Sequence, residues 1–563
     1  MKNPIFRCEY RYNGQTLFLE GSTSEYLDAD YSITADAVKL TLKPKAKVEL
    51  VKASLDFSHE FKDNDKFFSN GYQSWTTSRE YTKNDVHLGI NKLALTKPFI
   101  KLAGTSSDIW FCEDEEKKGV FRSHCYTYVK NGKDFFFLGS LSEKQGYTLY
   151  HADMNLNRLS IAKDVEGLTI DADYPLYDIV VLNGTEDYVF DKYFELMGVS
   201  KPKIDHLSGY TSWYNYFQKI DQDIIYRDLE AMDSALREKC NIFQIDDGYE
   251  TFVGDWLDPN PAKFPDGMKA VADRIHDKGY MAGIWIAPFS VQIKSRTFKE
   301  HPDWVIRDEK GKPVLGCVGW GGAYTLDIYN PEVREYIKHF FDVILNDWGY
   351  DLVKLDFLYS ECMFPRNNKT RGTIMCEAME FLRECCGDKL ILGCGVPLGA
   401  AFGKVDACRI SCDVDLSYKP KIYNTLHVNN EIMSAQNAMN NSIFRRQLNG
   451  RVFTNDPDVF FFRYTNLKFT YEQKILLGFI NHICGDVLFV SDNMEEYKEK
   501  DINAVGKFYE KSEFTVVDAN YSANNKKVIL NLRDKNGEDR VLWYDTATGF
   551  GNYQQISGVF ALE

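Results

Sequence analysis

Between residues 205 and 493 the sequence alternates, again and again, between a short apolar or period-two run and a longer stretch with helical spacing. The runs that read as strands are 211–216, 242–246, 281–287, 352–357, 391–395, 408–412, 451–455 and 487–491. A helix between two strands brings the chain back to the same end of the sheet, so this rhythm predicts parallel pairing. Two of the intervening stripes are clear. Ile225, Leu229, Met232 and Leu236 share one helix face, and Val333, Ile337, Phe340, Phe341 and Ile344 share another. Asn330 and Pro331 fit the cap and first position of the second helix. Eight such units over about 280 residues is the size of a (β/α)8 TIM barrel.

The flanks read differently. Residues 1–195 follow period two, with clean alternation at 38–42 and a hairpin signal where Asn131-Gly132 separates 126–129 from 135–138. This predicts an N-terminal antiparallel β-sandwich, joined to a catalytic barrel at 205–493 by a short helical linker near Pro202. From 494 to 563 strands return around Asn536-Gly537, which predicts a small C-terminal antiparallel β-domain. The expected fold class is therefore multidomain α/β plus β, with the barrel central.

Composition narrows the function. A net charge of −15 over 563 residues argues against nucleic acid and anionic membrane surfaces as partners. No run reaches the ~20 apolar residues of a membrane span, and the first residues lack the apolar core of a secretory signal. Thirteen scattered cysteines do not suggest a disulfide framework, which points to the cytoplasm. There is no His-Glu-x-x-His and no Cys-x-x-Cys, and the ten histidines are dispersed, so no metal and no cofactor are expected. The sequence is compatible with a homo-oligomer and does not specify one.

In a barrel of this kind the chemistry sits at the C-terminal strand ends. Read in order, those ends carry Trp213, then Asp246 and Asp247, then Trp285, then Lys354 and Asp356. They continue with Cys394, then Arg409, Ser411 and Asp413 on one alternating face, and Asn455-Asp456-Pro457-Asp458. In strand 352–357 the same alternation predicts Val353, Leu355 and Phe357 on one face and Lys354 with Asp356 on the other. Each feature has a plain structural explanation: Asp-Asp-Gly makes turns, Asn-Asp-Pro-Asp caps helices, and a Trp fills cores. Together they bring carboxylates, one Lys, one Arg and two Trp to one mouth. Sugar chemistry needs that set, with carboxylates to accept hydrogen bonds from hydroxyls, indoles to stack on a pyranose, and two carboxyls to flank the scissile bond.

Several motifs resemble glycoside hydrolase family 36, the α-galactosidases, and most closely its compact bacterial and archaeal members. They are Gly-Tyr-Gln-Ser-Trp at 71–75, Ser-Trp-Tyr at 212–214, Ile-Asp-Asp-Gly at 245–248, Gly-Ile-Trp-Ile-Ala-Pro at 283–288 and Lys-Leu-Asp-Phe at 354–357. Leu-Gly-Cys-Gly-x-Pro-Leu at 392–398, Arg-Ile-x-x-Asp at 409–413 and Asn-Asp-Pro-Asp at 455–458 complete the set. The resemblance implies that Asp356 is the nucleophile and Asp413 the acid/base of a retaining mechanism. It implies that Asp246 and Asp247 bind the galactose O4 and O6, and that Lys354 and Arg409 hold hydroxyls and the nucleophile. Trp285, Trp213 and Trp75 would line the pocket, with Cys394 near the C2 substituent. Trp75, in an aromatic loop of the sandwich, reads by itself as a core plug. The segment 414–418 departs from the Pro- and Trp-containing run of compact members, beside the expected leaving group. The implied activity is hydrolysis of terminal α-D-galactosyl residues from small oligosaccharides. The alternatives are an α-N-acetylgalactosaminidase or other α-glycosidase on the same framework, and a carbohydrate-binding protein without catalysis.

Overall fold

The computed structural model describes residues 2–90, 106–109, 111–112, 116–420 and 430–553. It divides into two compact units. One comprises Met1–Ser200 with Tyr359–Phe381 and Pro397–Lys404, and the other Lys201–Leu358 with Leu382–Val396 and Val405–Glu563.

The first unit is built on two seven-stranded antiparallel sheets. In Lys2–Tyr12 the side chains of Phe6, Cys8 and Tyr10 are buried while Arg7 and Arg11 are not, the alternation of a strand with one face on a core. The inward residues of both sheets, among them Leu40, Leu42, Leu55, Phe67, Ile161 and Ile179, form a single apolar cluster. Asn131 pairs with Asp134 across the expected hairpin, and Gly132 supplies the positive φ of its turn (+61°). The loop at 70–75 follows the strand Lys66–Ser69.

The second unit contains the predicted barrel. Its eight strands are β1 (Leu207–Thr211), β2 (Ile242–Ile245), β3 (Met281–Ile286), β4 (Leu352–Leu355), β5 (Leu390–Gly393), β6 (Ala407–Arg409), β7 (Thr454–Asp456) and β8 (Val487–Val490). Each pairs in parallel with its sequence neighbour from β1 to β7, and β1 also pairs with β8. Between β7 and β8 the ring is closed more loosely. There the Asp486 amide donates to the Asn455 carbonyl at 3.2 Å, and Phe460 bridges to Val490. Both predicted helical stripes are buried. They lie on Gln222–Leu236, capped by the Asp221 carboxylate, and on Pro331–Asp342, capped by the Asn330 side chain, with Ile344 buried in the turn that follows. A three-stranded antiparallel sheet closes the chain, and Gly537 (φ +83°) turns its second hairpin. Among the described residues no helix is long and apolar enough to cross a membrane.

Three expectations about the strands need correction. The first barrel strand is Leu207–Thr211, not 211–216, and Trp213–Tyr216 forms a helical turn after it. The aromatic run gave a strand signal, whereas the real strand is broken up by Gly209, where a Cβ would lie 1.9 Å from the Ile242 carbonyl oxygen. The seventh strand is Thr454–Asp456, three residues later than predicted, because its buried residues are polar. Phe357 does not share a face with Val353 and Leu355. β4 ends at Leu355, and Phe357 adopts φ +54°, turning out of the strand.

Candidate active site

Asp356 follows β4 directly, and its amide still donates to the Ile286 carbonyl of β3 at 2.9 Å. Its two oxygens are both engaged. One accepts from the Trp285 indole N–H at 3.1 Å, and the other from the Phe357 amide at 2.8 Å. The left-handed backbone of Phe357 aims that amide back at the carboxylate. Few non-glycine residues take this conformation, and they cluster at functional sites. Gly395, at φ +59°, lets the chain after β5 pass close by. A Cβ there would stand 3.2 Å from the Phe357 nitrogen and 3.5 Å from Asp356 Oδ1.

Asp246 and Lys354 form a buried ion pair at 2.7 Å between the ends of β2 and β4. Burial, the largest single influence, opposes the lysine charge, but Asp246 with Asp356 beside it outweighs burial and Arg409 and holds the ammonium above its ordinary range. Ser212 accepts from the Asp246 amide at 2.9 Å. Asp247 accepts from Gln218 Nε2 at 3.1 and 3.0 Å and from the Trp320 indole N–H at 2.8 Å. Burial raises its pKa, and Glu250, buried beside it, is pushed well up by burial and by the Asp247 charge.

Arg409 ends β6 and divides its guanidinium among three carboxylates. These are Asp456 at 3.0 Å through Nε, Asp413 at 3.0 Å through Nη1 and Asp458 at 2.9 Å through Nη2. The alternation expected to align Arg409, Ser411 and Asp413 ends at Arg409. Ser411 donates to the Pro457 carbonyl at 2.7 Å, and the ion pair brings Asp413 back to Arg409. The Asp413 side chain keeps 28% of its surface exposed, more than any other carboxylate around Arg409. Burial pushes its pKa up, Arg409 pulls it down and the charge on Asp356 pushes it up again, with an upward balance. Cys394 is buried after β5, its thiol raised by burial. Trp213 is half-buried, with Phe217 against its ring at 5.2 Å.

Nine of the ten predicted residues lie in the second unit: Trp213, Asp246, Asp247, Trp285, Lys354, Asp356, Cys394, Arg409 and Asp413. Trp75 belongs to the first unit, half-buried, with its ring 5.8 Å from that of Tyr359. Sequence reasoning missed Gln218, Trp320, Glu250, Tyr214 and the part played by Asp458. Trp320 had a signal. It is a lone indole in Gly319-Trp320-Gly321-Gly322, between the short strands Leu315–Cys317 and Ala323–Thr325.

One group of described residues is close enough to hold a metal: Asp108, Cys112 and His124, buried in the first unit with ligand atoms within 4.8 Å of one another. Sequence spacing did not reveal it. Asp108 is already committed to Arg122 at 2.9 Å and to His124 Nε2 at 2.7 Å. Burial would raise its pKa, but Arg122 and the hydrogen bond from His124 outweigh burial and hold it well below the usual carboxylate range. Asp108 therefore reads as the centre of a buried ion pair with Arg122, with His124 hydrogen-bonded beside it.

The family comparison falls on this geometry. Residues 216–375 match the Melibiase family model. That span holds Asp246, Asp247, Trp285, Lys354 and Asp356 and ends before Cys394, Arg409 and Asp413. The "A type blood alpha-D-galactosamine galactosaminidase" of Flavonifractor plautii is 31% identical over 156 residues, which is 26% of this chain and 14% of that protein. The chain spans between 14% and 21% of the length of the first curated relatives it matches. An α-galactosidase of Thermus thermophilus, solved with p-nitrophenyl α-D-galactopyranoside, superposes with a TM-score of 0.70 at 24% identity, covering 90% of this chain and 99% of that one. A GH36 α-galactosidase of Geobacillus stearothermophilus superposes with a TM-score of 0.62 at 10% identity, covering 96% and 81%. The chain has the fold of these Melibiase-type enzymes, and the resemblance to glycoside hydrolase family 36 holds.

Proposed function

We propose that this protein is a retaining α-galactosidase that removes terminal α-D-galactosyl residues from small oligosaccharides, acting in the cytoplasm. One observation carries the reading. Asp356 has both oxygens held by donors at the end of β4, while Asp413, held by Arg409 after β6, keeps part of its carboxyl open. Asp356 attacks the anomeric carbon while the protonated Asp413 gives its proton to the departing oxygen. Asp413 then takes a proton from the water that hydrolyses the galactosyl ester. Asp246 and Asp247 accept from sugar hydroxyls, and Lys354 and Arg409 hold the carboxylates in register.

A second reading has support in the Flavonifractor relative, whose name puts an amino group on the galactose. The residues expected at the 2-position, Cys394 and Arg409, decide between the two. The test is hydrolysis of p-nitrophenyl α-galactoside against its 2-amino and N-acetyl analogues, with the product anomer followed by NMR. An α-anomer released first from the galactoside is expected. Asp356→Gly should abolish turnover and recover part of it with azide. An inverted product, or turnover of Asp356→Gly within a few-fold of wild type, overturns the mechanism. A preference for the amino or N-acetyl substrate selects the second reading.

A further inference from the structure

Asp458 has no part in the reading above, yet few side chains near the site are more constrained. It is wholly buried and adopts φ +78°, a backbone that aspartate visits only occasionally. Its amide donates to Asp456 Oδ1 at 2.8 Å. Oδ2 accepts from the Tyr214 hydroxyl and, at 2.7 Å, from the amide of Val414, the residue that follows Asp413. Oδ1 lies 2.9 Å from Arg409 Nη2. A strained residue thus grips the chain next to Asp413 and shares the Arg409 guanidinium with it.

Charge gives the arrangement a consequence. One guanidinium faces Asp413, Asp456 and Asp458, and Lys354, the other cation near Asp413, is committed to Asp246. Two buried carboxylates and one partly open one, gathered around a single guanidinium, repel one another. We propose that Asp458 is a positioning residue for the proton donor: it competes with Asp413 for the Arg409 guanidinium and, through the Val414 amide, fixes where the Asp413 carboxyl stands.

The groups facing Asp458 are Arg409, Asp413, Asp456 and Tyr214, and those facing Asp413 are Arg409, Asp356, Lys354, Asp246, Asp458, Tyr214 and Cys394. Burial is the largest influence on Asp458. With Asp413 and Asp456 nearby it outweighs Arg409 and Tyr214, pushing the carboxyl up to about 7. Near neutrality, loss of the Asp458 proton draws Arg409 away from Asp413 and adds a negative neighbour. Both effects help Asp413 keep the proton it must donate.

The test is the pH dependence of kcat/KM in the full chain. Asparagine tolerates the left-handed backbone, so Asp458→Asn removes the charge with little strain. With Arg409 undivided, Asp413 loses its proton more easily, and the alkaline limb should move down by about one pH unit. Turnover of an α-galactoside with a sugar leaving group should fall more than that of the p-nitrophenyl substrate, whose leaving group needs little acid assistance. Tyr214→Phe should move the same limb in the same direction by less, because Asp458 without its donor ionises at higher pH. It also serves if Asp458→Asn does not fold.

The proposal rests on Asp413 being the acid/base, and Asp413→Asn tests that separately. If Asp413→Asn hydrolyses the sugar-linked substrate within a few-fold of wild type, the assignment of Asp413 falls. If Asp413→Asn behaves as an acid/base variant while the Asp458→Asn and Tyr214→Phe profiles overlay wild type, only the role of Asp458 is overturned.

Discussion

Asp247 and Asp356 show how much of the site consists of indole N–H donors holding carboxylates. Trp285, which the resemblance puts in the sugar pocket, is almost fully buried, and its Nε1 donates to Asp356. Trp320, half-buried, donates to Asp247 and sets its ring 5.9 Å from Trp285 and 5.0 Å from Phe357. Its backbone takes φ +56°, which the flanking Gly319 and Gly321 make easier to accommodate. Trp320→Phe keeps the aromatic edge and removes one donor to a buried carboxylate. A hydrogen bond to a charged group contributes about 1.5–3 kcal/mol, and Gln218 still serves Asp247. The expected outcome is a KM for p-nitrophenyl α-galactoside about tenfold higher with kcat within about threefold, the mark of lost uniform binding. Lys354→Met is the harsher change. It leaves the buried Asp246 without its cation and should cost about 3–5 kcal/mol in denaturant unfolding, a loss that no single neutral donor could replace.

At the scale of elements, the sequence made legible what hydrophobic period controls and obscured what backbone strain controls. The sandwich strands, both helix stripes and the order of the barrel strands follow from residues that bury one face, and that face is visible in a list of letters. β1 and β7 were misplaced because Gly209 and the polar Thr454-Asn455-Asp456 do not look like strand interior, although Asn455 is fully buried and donates to the Arg445 and Cys484 carbonyls. Strand-end residues such as Asp246, Lys354 and Asp356 were legible because charge in an apolar run is costly and therefore conspicuous. Left-handed Phe357, Trp320 and Asp458 were not, since no residue type announces them. Gly395 is the element-level test. Gly395→Ala must accept φ +59° and put a methyl against the Phe357 nitrogen, displacing the turn that holds Asp356. The strain should cost about 1–2 kcal/mol of stability, and kcat should fall at least ~10-fold with KM little changed. As a contrast, Asn330→Ala removes only the cap of Pro331–Asp342, with about 1 kcal/mol lost and activity retained.

For the whole molecule, desolvated groups pull acid stability in opposite directions. His59, stacked on Phe136 at 5.0 Å in the first unit, and His482, bound to the Phe508 carbonyl at 2.9 Å in the second, are both lowered by burial to about 4. An unfolded histidine titrates near 6.5, so between these values the unfolded chain binds more protons than the fold. Stability from the histidines is therefore full above pH ~6.5 and lost as pH falls toward 4. Asp458 works the other way. Raised to about 7, it keeps a proton in the fold that the unfolded chain has released, so its contribution declines as pH rises from ~4 toward 7. The same window thus holds two slopes of opposite sign, one from packing and one from the site. His482→Asn separates them, since the asparagine amide can reach the Phe508 carbonyl but does not titrate. At pH 5 the wild-type histidine costs about 2 kcal/mol relative to pH 7.5. The midpoint difference between pH 7.5 and pH 5, followed by thermal unfolding, should therefore shrink by a few degrees in His482→Asn. It should widen in Asp458→Asn, which loses the group that favours the acid side. Equal pH sensitivity in wild type and His482→Asn would show that His482 already carries its charge in the folded state.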